Sequence, residues 1–168
     1  LASSKYIAVG EVGLDFYWSR EFEKEQLEAF EEQVKWSIET HLPLMIHCRK
    51  AQNEMVKILK KYQSQLPGGV FHCFTGNEKE AAELLSFNNF VLGIGGVLTF
   101  KKSNLPETLK SVSLQRIVLE TDSPYMAPVP LRGKRNESSF LVHIVAKLAE
   151  VYSTTENEIA IQTNKNVE

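Results

Sequence analysis

Five short apolar runs, each closed by a glycine or a polar residue and each followed by an amphipathic stretch, constrain this chain more than any other feature. They are Tyr6-Ile7-Ala8-Val9-Gly10, Pro43-Leu44-Met45-Ile46, Val70-Phe71, Phe90–Ile94 and Ile117-Val118-Leu119. None alternates apolar with polar residues, so each reads as a strand buried on both faces. Strands of that kind belong to parallel sheets covered by helices. The intervening segments supply the helices. Residues 21–40 carry Leu27, Phe30, Val34 and Ile38 at helical spacing, with glutamates on the outer faces. Residues 51–62 repeat the pattern with Met55, Leu59 and Tyr62, residues 78–87 form a third helix, and residues 104–112 a weaker one.

After the fifth run the pattern changes. Residues 123–138 hold Pro124, Pro128, Pro130 and Gly133, which predicts a long ordered loop. Two helices follow, over 139–152 and after Ser153, where Thr155 and Glu158 have the spacing of a capping box. No repeat, low-complexity tract or interdomain linker interrupts the chain.

Two architectures accommodate such a string of units, an open doubly wound sheet and a closed barrel. The polar residues favour the barrel. Glu11, His47, His72 and Asp122 each stand at or just beyond the C-terminal end of a strand. Chemistry contributed by several strand ends marks the (β/α)8 barrel, whereas an open sheet gathers its site at one switch point. The expected fold class is α/β, with a (β/α)8 TIM barrel favoured by these strand ends.

Composition enters here as a set of exclusions. At 43% hydrophobic residues the chain has enough apolar surface for a core. A formal net charge of −2 does not suit a protein that coats nucleic acid by bulk positive charge. No apolar stretch approaches the ~18 residues of a membrane span, so no membrane partner is expected. The two cysteines, Cys48 and Cys73, make no disulfide framework, which fits a reducing cytoplasmic setting, or a nuclear one in a eukaryote.

The strand-end residues form a chemical set. His47 follows Leu44-Met45-Ile46 and His72 follows Val70-Phe71, so two imidazoles occupy equivalent positions. Neutral imidazole is a common ligand of divalent metals. Glu11 lies in Gly10-Glu11-Val12-Gly13-Leu14-Asp15, and Asp122 in Glu120-Thr121-Asp122-Ser123-Pro124. A carboxylate beside a buried strand is costly unless a cation or donors meet it. Two carboxylates and two histidines suit a hydrolytic centre of one or two ions. Glu120, nearer the strand interior, is suited to orienting a neighbour. Arg132, Lys134 and Arg135 in the long loop, and Arg49 two residues after His47, are candidates for holding phosphate. Tyr17, Trp18, Phe74 and Tyr125 follow strand ends and are of the type that stacks on bases. His41, His143 and the cysteines are assigned no chemistry. The chain has neither a G-x-G-x-x-G fingerprint nor a G-x-S-x-G elbow.

Five motifs occur in order: Gly10-Glu11-Val12-Gly13-Leu14-Asp15-Phe16, Ile46-His47-Cys48-Arg49, Phe71-His72-Cys73-Phe74-Thr75-Gly76, Glu120-Thr121-Asp122-Ser123-Pro124-Tyr125 and Arg132-Gly133-Lys134-Arg135-Asn136-Glu137. The site residues are separated by 36, 25 and 50 positions. Together these motifs resemble the TatD family of metal-dependent deoxyribonucleases, within the amidohydrolase-like barrels. The resemblance implies hydrolysis of DNA phosphodiester bonds, from the 3′ end, by water activated at a pair of divalent ions. Mg²⁺ is the first expectation, with Mn²⁺ or Zn²⁺ as alternatives. It implies that Glu11 bridges the two metals, that His47 and His72 bind the second, and that Asp122 binds the first close to the attacking water. Glu11 and Asp122 are thus the expected catalytic residues, and DNA the expected partner. Arg49 and the loop with Arg132, Lys134 and Arg135 match segments on the phosphate side.

The family opens with a His-x-His pair on its first strand, and no such pair occurs here. The chain begins with Leu1, and Ser138 stands where the family has proline. The expectation is the C-terminal portion, residues 1–168, of a single longer barrel. Two other functions are compatible with the residues: metal-dependent hydrolysis of a small amide or ester, and nucleic-acid binding without catalysis.

Overall fold

A computed structural model describes residues 5–168, which fall into two compact units. The first comprises the described residues up to His72 together with Ser86–Phe90, and the second comprises Cys73–Leu85 and Val91–Glu168.

The first unit holds β1 (Val9–Asp15), α1 (Glu23–Thr40), β2 (Leu44–Arg49), α2 (Gln52–Lys61) and β3 (Gly69–Phe71). The strands run parallel in the order β1-β2-β3. Leu44 and Ile46 of β2 and Val12 and Leu14 of β1 are buried on the helix side. Phe30 and Val34 of α1 and Met55 and Leu59 of α2 are fully buried too. Each side chain of that size contributes about 1.5–3 kcal/mol through burial. Gln26 on α1 ties the end of β1, its Oε1 accepting from the Asp15 N–H at 2.9 Å and its Nε2 donating to the Asp15 carbonyl at 3.2 Å. Beneath β3, Phe71 stacks on Phe90 at 4.9 Å, with Phe87 edge-on to Phe90 at 6.0 Å.

The first strand differs from the sequence expectation. It starts at Val9 and runs to Asp15, not over 6–10, and Tyr6 and Ile7 are 61% and 86% exposed. Period-2 patterning explains the shift. Val12 and Leu14 are buried, while Glu11, Gly13 and Asp15 take the other face. Glu11 therefore lies within β1, and His47 within β2, rather than beyond their ends.

The second unit holds α3 (Glu78–Leu84), β4 (Phe90–Ile94, from Val91), α4 (Leu105–Leu109), β5 (Ile117–Leu119), α5 (Leu141–Tyr152) and α6 (Glu156–Lys165). β4 and β5 pair in parallel, Leu92 opposite Ile117 and Ile94 opposite Leu119. Ile144 and Leu148 of α5 and Ile159 of α6 are fully buried. α3 opens with a capping box from Asn77 and Glu80, and α6 with the expected one from Thr155 and Glu158. α3 ends at Leu84, short of the expected residue 87. Phe87 leaves the helical path for the aromatic cluster of the first unit, where it is 1% exposed. Among the described residues no helix is long and apolar enough to cross a membrane.

Candidate metal centre

Three strands of the first unit deliver polar side chains to one point. Glu11 and Asp15 lie on the same face of β1, four residues apart, and His47 lies on β2 where Gly13 pairs with it. His72 follows the last residue of β3, its N–H donating to the Ile46 carbonyl at 3.0 Å. Gly13 makes the approach of β1 and β2 possible. Its φ is +146°, and a Cβ there would stand 1.8 Å from the His47 carbonyl oxygen.

The convergence is tight. Glu11 Oε1 lies 3.3 Å from His47 Nδ1 and 3.2 Å from His72 Nε2. The two ring nitrogens are 3.4 Å apart. Behind them, His47 Nε2 is 3.1 Å from Asp15 Oδ2. An ionised carboxylate accepts but cannot donate, so the His47 proton sits on Nε2 and the Nδ1 lone pair faces the cluster. Glu11 Oε1 and His47 Nδ1 are then both acceptors. His72 Nε2 lies within 3.4 Å of both of these atoms. A cation satisfies all three at once.

The donor set fits a divalent metal. Two imidazole nitrogens and a carboxylate oxygen are borderline ligands, and edges of 3.2–3.4 Å match donors ~2.0–2.1 Å from one shared ion. Asp15 occupies the position of the outer carboxylate that fixes a ligating histidine's tautomer and raises its basicity. Sequence reading assigned Asp15 no role. Its signal was the period of 2, which places residues 11, 13 and 15 on one face of a strand. Glu11 is half exposed and His72 only 11%, so the site opens to solvent on the glutamate side.

The other expected site residues lie elsewhere in the chain. Arg49 ends β2 on the same face as His47, with its guanidinium 3.5 Å above the Tyr17 ring. Asp122 belongs to the second unit, three residues past β5, in a left-handed conformation (φ 54°) that starts a turn closed by the Tyr125 N–H. Arg132 lays its guanidinium 4.2 Å over Phe100 in the same unit, and Lys134 and Arg135 are exposed. Asn136, 2% exposed, clamps the Asp122 segment by donating to the carbonyls of Thr121 at 2.6 Å and Tyr125 at 2.7 Å. Glu120 accepts from the Cys73 N–H at 2.7 Å. Of the aromatic residues, Phe74 is buried in packing, while Trp18 and Tyr125 are 83% and 71% exposed.

Parallel βα units with a histidine–glutamate donor cluster on their strands fit the TIM-barrel class. The family model for TatD-related DNases matches residues 1–168, and the chain belongs to that family. It is 40% identical over 166 residues to the uncharacterized metal-dependent hydrolase YabD of Bacillus subtilis, covering 98% of this chain and 65% of that protein. It is 35% identical over 167 residues to the 3′-5′ ssDNA/RNA exonuclease TatD of Klebsiella pneumoniae, covering 96% and 63%. Among solved structures, YJJV, a TatD homologue from Escherichia coli K12, superposes with a TM-score of 0.89 at 28% identity, over 97% of this chain and 62% of that one. The chain thus spans about two thirds or less of the length of the relatives it matches.

Proposed function

We propose that this chain carries the metal-binding part of a phosphodiesterase barrel that removes nucleotides from the 3′ end of single-stranded nucleic acid. The convergence of Glu11 Oε1, His47 Nδ1 and His72 Nε2 within 3.4 Å carries the reading. Membership of the TatD-related family and likeness to an ssDNA/RNA exonuclease support the substrate class. Divalent ions, Mg²⁺ first, would lower the pKa of water and polarise a phosphoryl oxygen.

The chain's own residues do the rest. Glu11, His47 and His72 would hold the cation, each offering one ligand atom. Asp15 keeps the His47 proton on Nε2 and its lone pair forward. Asp122 is assigned the proton of the attacking water on its motif alone. Arg49 offers a guanidinium edge to a phosphate oxygen.

The test is hydrolysis of a 3′-labelled oligonucleotide by the complete gene product with Mg²⁺, with EDTA, and with Glu11→Gln and His72→Ala. Each substitution is expected to lower kcat by about 100-fold or more, as loss of an electrostatic element of the site does. Undiminished cleavage by both variants defeats the assignment. Turnover of small amides or esters with no cleavage of DNA or RNA would move the substrate class.

A further inference from the structure

Next to the cation site the first unit exposes an aromatic group that its core does not use. Trp18 is 83% and Tyr17 47% exposed, where an indole on a loop ordinarily folds down onto its neighbours. The two rings meet edge to face, with centroids 4.8 Å apart at 89°. Arg49 covers the Tyr17 face at 3.5 Å and stands 6.0 Å from Trp18. Among the described residues no carboxylate pairs with Arg49, which is exposed. Arg20, two residues after Trp18, shows the contrast: its guanidinium is held by Glu23 and Glu54.

The group is fastened to the donor cluster by one residue. Asp15 Oδ1 accepts from the Tyr17 N–H at 2.9 Å while its Oδ2 meets His47 Nε2. Arg49 is two residues past His47 on the same strand face, about 7 Å along β2. An aromatic edge, an unpaired guanidinium and a cation site thus follow one another over two adjacent strand ends.

We infer that Trp18, with Tyr17 and Arg49 behind it, is a stacking platform for an unpaired nucleobase of the strand whose phosphate reaches the Glu11–His47–His72 cluster. This inference rests on the phosphodiesterase reading above and adds the determinant of single-strand preference. A base within a duplex has both faces covered by its neighbours, whereas an unpaired base can leave the stack and lie on the indole. Stacking ignores base identity and sugar, so DNA and RNA strands are held alike. Arg49 contributes a charged edge to the adjoining phosphate while its flat face rests on Tyr17.

The experiment separates base recognition from cleavage. In the 168-residue chain with Trp36→Phe, Trp18 is the remaining indole. Its fluorescence is titrated with a single-stranded oligonucleotide, with the same strand made abasic, and with the blunt duplex. Quenching is expected with the base-bearing strand, DNA or RNA, at a concentration at least about 10-fold below that of the abasic strand or duplex. In the complete gene product, Trp18→Ala is expected to raise KM on the base-bearing strand by roughly 10-fold or more, with kcat within about 2-fold and abasic-strand kinetics unchanged. A general structural loss would lower both substrates together. Equal quenching by base-bearing and abasic strands, or none, overturns the platform, as does an unchanged KM in Trp18→Ala. Base-dependent quenching in a protein that cleaves no strand keeps the platform and defeats the phosphodiesterase reading. Cleavage indifferent to the bases does the reverse.

Discussion

Two carboxylates, one in each compact unit, lie within or just past a strand, and their surroundings differ in kind. Glu120 faces a backbone N–H, that of Cys73 at 2.7 Å. Glu11 faces two ring nitrogens, one of which has its lone pair turned toward it by Asp15. Elsewhere in the second unit Asn136 is matched donor for acceptor, and the Tyr152 hydroxyl meets the carbonyls of Leu109 at 3.0 Å and Val112 at 2.8 Å. The polar groups of the second unit complete one another and hold the chain in place. Those around Glu11 bring together three atoms that could each ligate a metal ion. Saturated polar groups build the fold, and acceptors facing acceptors mark the site.

The largest effects separate these roles. Glu11→Gln removes one of three donors, and metal affinity, measured by calorimetric titration, is expected to fall by more than about 100-fold, beyond the 10–100-fold typical of an outer partner. The metal-free variant should unfold within about 0.5 kcal/mol of the parent or later, because a Gln amide can donate where the carboxylate could not. A variant that lost stability without losing metal would erase the contrast. Asn136→Ala is the mirror image. It leaves the Thr121 and Tyr125 carbonyls without their donors, and urea unfolding should show a loss of about 2–4 kcal/mol. Stability within 0.5 kcal/mol of the parent would mean that water replaces the amide, and that Asn136 is not the clamp described. Asp15→Asn sits between the two. Its amide can no longer demand the proton on Nε2, so metal affinity should fall about 10–100-fold with little change in unfolding.

Much of this was legible in the residues, and the failures have physical causes. The βα alternation, the family motifs and the capping box at Thr155 rest on local patterns that tertiary structure does not override. The first strand was misplaced because Tyr6-Ile7 looks apolar, while Glu11, Gly13 and Asp15 look like a loop. A strand with one face given to chemistry carries its polar residues at every second position, and Val12 and Leu14 on the other face were its signal. The role of Asp15 is missed for the same reason. Exposure of Trp18 could not be read at all, since an aromatic residue after a strand is more often packed, as Phe74 is.

The smallest effect tests the saturated side by pH. Burial pushes the Tyr152 phenol well above its usual value near 10, because a phenolate there would lose water and could not donate to Leu109 and Val112. The unfolded chain releases this proton from about pH 10 upward while the folded chain retains it. Below pH 10 both states are protonated and the contribution is complete. As pH rises past 10 toward the folded value, stability is lost. Tyr152→Phe removes the one hydroxyl proton that both carbonyls share, so at pH 7 the variant should be less stable by about 1–2 kcal/mol. It has no proton to lose there, so its stability should fall less steeply above pH 10. The lysines and the other tyrosines titrate in both proteins and cancel in the difference. Urea midpoints from pH 7 to 11 should therefore show two curves that converge at the alkaline end. Parallel curves would mean that the phenol ionises alike in both states, and that Tyr152 is held by its ring and not by its proton.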